Sequence, residues 1–266
     1  MLDRFDRRIN YLRVSVIDRC QHRCVYCMPE EGVKLFRHEN ILSLEEIRDV
    51  VHAAVGMGVT KVRLTGGEPL LRRGILTLLS MLSEIDGIED LAMTTNGVRL
   101  VEFAQPLTDT GLHRVNISLD TLDAGRYAEI TRGGDIAPVL AGISAAREAG
   151  LLPLKLNCVV QQNSREQDAQ AVAEFARIHG YEVRFIRRMS LSDGKFWKVE
   201  GGTGGDCSLC NRLRLSSDGM IRPCLFSDLA FSVKELGAEE ALKQAVTAKP
   251  ESGKASENNA FHEIGG

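Results

Sequence analysis

The chain has 266 residues, of which 44% are hydrophobic and 26% charged, so it is long enough to bury one large core. Its formal net charge is −3, and its 33 lysines and arginines are dispersed along the sequence, which argues against a nucleic-acid-binding protein. Neither a charged-then-apolar leader nor an apolar run of about 18 residues is apparent, so we expect a cytoplasmic protein that does not interact with membranes.

Between residues 11 and 188, short apolar runs alternate with longer helical patterns, which predicts βα units and a parallel sheet. We predict six strands, at 11–17, 60–65, 91–95, 114–119, 154–160 and 182–188. We predict helices between them, at 43–57, 74–84, 101–109, 123–130, 136–149 and 165–179. Ser43, with Glu46 three residues later, forms a capping box for the first helix.

Alternate positions of these strands are polar, although strands covered by helices on both faces normally read as continuous apolar runs. The polar set includes Arg13, Lys61, Arg63, Lys155 and Arg184. Burying five unpaired cations would be costly, so we predict a partial (β/α)6 TIM-like barrel whose inner face lines a polar cavity. Clustered arginines and lysines suit a phosphate-bearing ligand. The alternative is that some of these side chains lie at strand ends and reach solvent.

Six of the seven cysteines form two incomplete ligand sets, Cys20/Cys24/Cys27 and Cys207/Cys210/Cys224. Three thiolates on one short loop can hold three irons of a 4Fe-4S cluster and leave the fourth iron open. A zinc site remains the alternative, more so for the second set because of its Cys-x2-Cys spacing. The seventh cysteine, Cys158, lies on the apolar face of its strand and is interpreted as core packing.

The loop after the second predicted strand reads Gly66-Gly67-Glu68-Pro69. Paired glycines let a backbone approach a ligand closely, and a glutamate can accept a hydrogen bond from an ammonium group. An ordinary tight turn is the alternative explanation.

We predict a division into a barrel at 1–189 and a C-terminal region at 190–266. The segments 201–205 and 249–259 are rich in glycine or in polar, turn-forming residues and are expected to be flexible connections. Between them we predict a hairpin that turns at 217–219 and one helix over 232–248.

The first cysteine triplet, the aromatic Tyr26 before its last member, the Gly-Gly-Glu-Pro loop and the predicted barrel together resemble the radical S-adenosylmethionine superfamily. The resemblance implies that Cys20, Cys24 and Cys27 hold a 4Fe-4S cluster and that S-adenosylmethionine chelates its fourth iron. It also implies contacts of this cofactor with five residues, namely Tyr26, Gly67, Glu68, Ser118 and Met189.

Further segments, in order along nearly the whole chain, are similar to the GTP 3′,8-cyclase family of molybdenum cofactor biosynthesis: 11–15, 61–71, 94–97, 116–120, 155–157, 184–186, 207–214 and 265–266. This resemblance implies that a 5′-deoxyadenosyl radical takes hydrogen from C3′ of GTP. The C3′ radical then attacks C8 of guanine to give 3′,8-cyclo-7,8-dihydro-GTP.

The same resemblance implies a second 4Fe-4S cluster on Cys207, Cys210 and Cys224, with one iron left for the guanine base. It assigns GTP contacts to Arg13, Lys61, Arg63, Thr94, Lys155, Arg184, Arg212 and Arg214. The terminal Gly265 and Gly266 are expected to enter the site, with their carboxylate against Arg13. The implied partners are an electron donor such as flavodoxin or ferredoxin, the enzyme that forms cyclic pyranopterin next, and a second copy of the chain in a homodimer.

Two departures from the family pattern leave alternatives open. The connection from Met189 to Cys207 is shorter than usual, and Arg187 and Arg188 replace the usual acidic residue. One alternative is a twin-cluster radical enzyme that modifies a peptide or another nucleotide. The other is a non-catalytic zinc or iron-sulfur binding module.

Overall fold

A computed structural model describes residues 1–257 and 260–264 of the chain. Its strands are β1 (Tyr11–Ser15), β2 (Lys61–Thr65), β3 (Asp90–Thr95), β4 (Arg114–Ser118), β5 (Lys155–Val160), β6 (Glu182–Arg187), β7 (Arg212–Leu215), β8 (Met220–Arg222) and β9 (Phe231–Ser232). Its helices are α1 (Leu44–Gly56), α2 (Ile75–Ser83), α3 (Leu100–Asp109), α4 (Ala124–Thr131), α5 (Ala137–Glu148), α6 (Gln167–His179), α7 (Val233–Leu236), α8 (Ala238–Thr247) and α9 (Phe261–Ile264). All six predicted strands and the six helices between them are confirmed.

The strands form one sheet in the order β6-β5-β4-β3-β2-β1-β7-β8-β9. The seven strands from β6 to β7 run parallel, whereas β8 pairs antiparallel with both β7 and β9. Across the described residues the sheet stays open, with β6 and β9 at its edges. The prediction of a partial α/β barrel is therefore confirmed, and the sheet continues across the predicted division after residue 189.

The apolar face of the sheet packs on the helices and forms the main core. Leu12, Val62, Val115 and Leu156 are at most 1% exposed and lie in one cluster with apolar residues of α1 to α6. Cys158 is fully buried in the same cluster, as its position predicts. The Ser43 capping box at the start of α1 is also present. Packing on one face leaves the opposite, polar face of the parallel strands to line a cavity.

The C-terminal region differs from the prediction in its helix. Residues 232–248 do not form one helix, because Gly237 adopts a left-handed φ of 79° and separates α7 from α8. The hairpin turn at 217–219 is confirmed: Gly219 has a positive φ, and β7 pairs antiparallel with β8.

The segment 190–206 runs beside the edge strand β6. The backbone groups of Phe185 and Glu200 exchange two hydrogen bonds, at 3.0 and 3.2 Å. Phe196 packs on Phe226, with 4.6 Å between the ring centroids. The short connection between Met189 and Cys207 is therefore packed against both parts of the chain. In the described ranges, no helix is both long and apolar enough to cross a membrane.

Candidate active site

The loop that carries the first cysteine triplet lies against the chain that follows β2. This close approach is possible because Gly66 and Gly67 have no side chains. A Cβ atom on Gly66 would approach the carbonyl oxygen of Ile17 to 2.4 Å, and one on Gly67 would approach that of Arg19 to 2.3 Å. The backbone N–H of Gly67 donates to Ile17 at 2.7 Å, and that of Glu68 donates to Arg19 at 2.8 Å. The glycines thus position the chain that leads directly into Cys20.

A cavity of about 190 Å³, here called the cluster cavity, opens beside this loop. All three thiol-bearing residues of the first triplet line it, and so do all five residues predicted to contact S-adenosylmethionine, which are Tyr26, Gly67, Glu68, Ser118 and Met189. Thr94, predicted to contact GTP, lies here as well. A cavity lined by three thiols and by polar groups fits a 4Fe-4S cluster with a bound amino acid.

Glu68 is 1% exposed, and its carboxylate accepts three hydrogen bonds from two segments. The hydroxyl of Thr95 donates at 2.7 Å, the backbone N–H of Asn96 at 2.8 Å and that of Leu70 at 3.0 Å. Burial nevertheless raises the pKa of Glu68 to about 7. A cationic ligand in the cluster cavity would therefore stabilise the carboxylate form of this side chain.

Tyr26 and Asp120 connect the cysteine loop to the end of β4. The Tyr26 hydroxyl donates to Asp120 at 2.7 Å, and the other carboxylate oxygen of Asp120 accepts the N–H of Val159 at 2.8 Å. Burial raises the pKa of Asp120 to about 6. Tyr26, which resides two residues after Cys24, therefore joins the loop to the sheet through its side chain.

The first three thiols lie in an environment that disfavours the thiolate. Burial, followed by the nearby charge of Glu68, raises the pKa of Cys20 to about 11. Burial raises the pKa of both Cys24 and Cys27 to about 12, with Asp120 contributing at Cys24. The thiols are therefore protonated at neutral pH, and binding of iron at this loop must release protons.

A second cavity of about 300 Å³, here called the cationic cavity, lies between the inner face of the sheet and the C-terminal region. Six of the cations predicted to contact GTP line it, namely Arg13, Lys61, Arg63, Arg184, Arg212 and Arg214. The parallel register explains their proximity, because Arg13 lies between Arg63 on β2 and Arg214 on β7. The two cavities share Arg13, Asn157, Ile186 and Met189, so they adjoin.

The guanidinium groups of the cationic cavity are buried close to one another. Burial, with Arg212 as the next cause, lowers the pKa of Arg214 to about 10, and burial also lowers the pKa of Arg63 and Arg184. Within residues 1–257 and 260–264, the buried Nε atoms of Arg63, Arg184 and Arg212 have no hydrogen-bond partner. An anion in this cavity would reduce the repulsion and supply acceptors, so the site suits a polyphosphate.

Lys155 is not among the residues that line either cavity. Its ammonium pairs with the carboxylate of Glu182 on the adjacent strand β6. The alternation along β5 correctly places Lys155 on the polar face with Asn157, but it does not reveal the neighbouring carboxylate.

The second cysteine set lines the cationic cavity, and two buried cations hold the surrounding chain. The Arg7 guanidinium donates to the carbonyl oxygens of Cys207 at 2.7 Å and Pro250 at 2.7 Å. The Lys249 ammonium donates to those of Arg212 at 2.7 Å and Pro223 at 2.6 Å. The loops that carry these cysteines are therefore tied to the N-terminal segment and to the chain after α8.

Helix α9 brings the C-terminal part of the described chain to the site. Phe261 lines the cluster cavity, and Ile264 is fully buried with Leu191, Leu225 and Phe226. The Arg214 guanidinium donates to the carbonyl oxygen of Ile264 at 3.3 Å. Gly265 and Gly266, predicted to enter the site, lie outside the described residues.

Sequence reasoning missed Arg114, Trp197 and Lys249, which also line the cationic cavity. Arg114 shares the polar alternation of Asn116 and Ser118, so its position was available from the sequence. It pairs with Asp90 at 2.6 Å. Trp197 and Lys249 lie in segments without a regular pattern, and only the tertiary fold brings them to the cavity.

Across residues 1–257 and 260–264, no three His, Cys, Asp or Glu side chains are arranged to hold a metal ion. The three thiolates of a cubane bind different irons rather than one ion, so this finding does not bear on the cluster.

Comparisons with known proteins identify the family to which the chain is similar. A family profile described as the Radical SAM superfamily matches residues 14–176. A protein from Alkaliphilus oremlandii named GTP 3′,8-cyclase is 38% identical, over 94% of this chain and 93% of its own length. Proteins of the same name from Thermodesulfovibrio yellowstonii and Moorella thermoacetica are 41% and 39% identical, over 89% and 97% of this chain and 88% and 95% of their own lengths.

The alignment with the Alkaliphilus protein runs over 299 positions, more than the number of residues in this chain, so that relative has segments that this chain lacks. Among solved structures, AdoMet-bound anSMEcpe superposes with a TM-score of 0.63 at 13% identity, covering 91% of this chain and 81% of its own. Streptococcus suis SuiB bound to S-adenosylmethionine gives a TM-score of 0.55 at 19% identity, covering 70% and 42%. These structures show that the fold is shared.

Proposed function

The chain belongs to the radical SAM superfamily and, within it, to the GTP 3′,8-cyclase family, and we propose that its two adjoining cavities convert GTP to 3′,8-cyclo-7,8-dihydro-GTP. The observation that carries this proposal is the group of buried cations between the two cysteine sets, among them Arg13, Arg63 and Arg214. Such a site suits the triphosphate of a nucleotide that lies beside a radical-generating cofactor.

We assign the first 4Fe-4S cluster to Cys20, Cys24 and Cys27. When bound, this cluster and S-adenosylmethionine supply the radical that removes a hydrogen atom from the GTP ribose. The chain provides position and exclusion of water: Tyr26 holds the loop through Asp120, and the apolar part of Met189 borders both cavities.

We assign the amino group of S-adenosylmethionine to the neighbourhood of Glu68 and its nucleoside part to Ser118 and Met189. The carboxylate of Glu68 is fixed by three donors, so it offers a preformed negative charge to an ammonium group. Gly67 keeps the backbone open at the same wall of the cavity.

We assign the phosphates of GTP to the cationic cavity, where Lys61, Arg63, Arg184 and Arg212 lie around Tyr11. The Arg63 guanidinium lies 5.4 Å from the Tyr11 ring centroid, and that of Arg212 lies 5.8 Å from it. Both distances are within the range of cation–π contacts, so the ring of Tyr11 stabilises the two cations at this wall. Thr94 lines the cluster cavity and would contact the same nucleotide from that side. Lys155 would bind a phosphate of GTP only by giving up its ion pair with Glu182.

We assign a second 4Fe-4S cluster to Cys207, Cys210 and Cys224 in the C-terminal region, residues 190–266. When bound, it supplies an iron that holds the guanine base. Three cysteines that line the same cavity as the cations support this arrangement, because the base and the phosphates of one nucleotide then have separate sites in it. Arg214 lines this cavity as well, and its register partner on the adjacent strand β1 is Arg13.

We further propose that Gly265 and Gly266 continue from α9 towards Arg13. The hydrogen bond from Arg214 to the carbonyl oxygen of Ile264 supports this direction of the chain. Two residues without side chains suit a narrow site, where they would help to orient GTP.

We also propose a cellular location and partner proteins for this chain. We place the chain in the cytoplasm, with a flavodoxin or ferredoxin as electron donor and the cyclic pyranopterin-forming enzyme as the next step. We also propose a homodimer. The family membership disfavours the alternatives of a peptide-modifying enzyme and of a zinc-binding module.

Iron and sulfide analysis after anaerobic reconstitution tests the assignment of two clusters. We expect about eight irons and eight sulfides per chain. The Cys207→Ser/Cys210→Ser double variant should retain about four, and so should the Cys20→Ser/Cys24→Ser variant. About four irons in the unmodified chain would refute the second cluster and leave the first.

A further inference from the structure

Lys249 is the largest fully buried side chain of the described structure, with 1% of its surface exposed. Its ammonium donates to two backbone carbonyl oxygens, those of Arg212 and Pro223. Within the described part of the chain, no carboxylate forms an ion pair with it. A buried ammonium stabilised by carbonyl dipoles alone retains a large desolvation cost, so a negative charge is expected beside it.

The groups beside Lys249 that can become negative are thiols of the second cysteine set. Lys249 lines the cationic cavity together with Cys210 and Cys224. A thiolate pair bound to iron is thus the negative charge that this site lacks.

The two carbonyl groups bound by Lys249 belong to the two segments that carry these thiols. Arg212 begins β7, two residues after Cys210, and Pro223 directly precedes Cys224. One ammonium therefore holds both segments at a fixed separation, from a position at the end of α8.

We propose that Lys249 is a positioning residue for the second cluster: it joins the two cysteine segments and supplies the positive charge that compensates the cluster. The inference rests on the proposed second cluster. A positive charge favours the reduced, more negative state of an iron-sulfur centre, so Lys249 raises the reduction potential of the second cluster.

The test compares anaerobically reconstituted full-length chains with Lys249 unchanged or replaced by Met, which keeps the length of the side chain without its charge. Lys243→Met is the matched control, because Lys243 lies on α8 and pairs at 3.5 Å with Glu239 on the surface. The readouts are iron and sulfide per chain, the loss of iron to a chelator, and an electron paramagnetic resonance titration that resolves the two clusters. None of them requires turnover.

With Lys249→Met we expect about four irons to be lost to the chelator faster than from the unmodified chain, and the potential of the second cluster to shift to a more negative value. The first cluster and the Lys243→Met variant should behave as the unmodified chain does. Lys249→Gln, which keeps a donor but not the charge, should shift the potential in the same direction.

Two outcomes would overturn the proposal. One is an unchanged potential and an unchanged rate of iron loss at the second cluster in both Lys249 variants. The other is equal loss of both clusters together with the helical circular-dichroism signal, which would assign Lys249 to folding alone. An unmodified chain with only four irons would instead refute the second cluster itself, so the two failures are distinguishable.

Discussion

The guanidinium of Arg187 stacks on the indole ring of Trp197, with 3.8 Å between the guanidinium carbon and the ring centroid. Arg187 lines the cluster cavity, whereas Trp197 lines the cationic cavity. Their contact therefore lies where the two cavities adjoin. It also ties the segment 190–206, the connection expected to be shorter than is usual in the family, to the end of β6.

Trp197 is the single tryptophan of the chain, so intrinsic fluorescence reports on this wall. We expect GTP to change the emission intensity in a saturable manner, because a bound nucleotide alters the environment of the indole. Titration of GTP into the reconstituted protein measures this change. Lys243→Met should give the same curve, whereas a flat response in a protein that binds GTP by calorimetry would place the nucleotide elsewhere.

Arg63 and Lys155 should differ in their contribution to GTP binding. Arg63→Ala should weaken binding by at least about tenfold, since a hydrogen bond to a charged group contributes about 1.5–3 kcal/mol. Lys155→Ala should weaken it less, because Lys155 pairs with Glu182. Calorimetry measures both affinities, and iron content should stay unchanged in each variant. An equal loss of affinity would mean that Lys155 leaves Glu182 when GTP binds.

Glu68 should make the stability of the iron-free protein depend on pH. Its pKa is raised to about 7 in the folded chain, above the usual value of 4.5, so the folded chain binds more protons between these values. The resulting stability is fully present below the usual carboxyl pKa and is lost as the pH rises through about 7. Urea unfolding over this range should show a flatter pH profile for Glu68→Gln. A profile identical to that of the unmodified chain would mean that Glu68 is ionised throughout.

Removal of the Tyr26 hydroxyl should destabilise the fold around the first cysteine loop. Tyr26→Phe leaves one oxygen of the buried Asp120 without its donor, at a cost of about 1–3 kcal/mol of unfolding free energy. Urea unfolding measures the change. Tyr181→Phe is the control, because that residue lies at the end of α6 and stacks on His179, and it should cost less than about 0.5 kcal/mol. Equal stability of the two variants would contradict the role of the Tyr26 hydrogen bond.

The sequence predicted much of the site because its signals are local. The alternation along each strand places Arg13, Arg63 and Arg184 on one face, and a parallel register then brings them together without further information. The spacing of Cys20, Cys24 and Cys27 identifies a ligand set within one loop in the same way.

The rest of the site depends on contacts between distant segments. Arg214 meets Arg13 only because β7 pairs with β1, and Lys249 reaches Pro223 only after α8 has packed on the sheet. Glu182 neutralises Lys155 from the adjacent strand, which alternation within β5 cannot show. The break at Gly237 likewise overrides a helical pattern that is continuous in the sequence.

The most direct test of the account is turnover by the reduced, reconstituted protein with S-adenosylmethionine and GTP deuterated at C3′. Mass spectrometry should detect 3′,8-cyclo-7,8-dihydro-GTP together with 5′-deoxyadenosine that carries the deuterium. Formation of 5′-deoxyadenosine without deuterium and without cyclised GTP would contradict the assignment of GTP as the substrate of these two cavities.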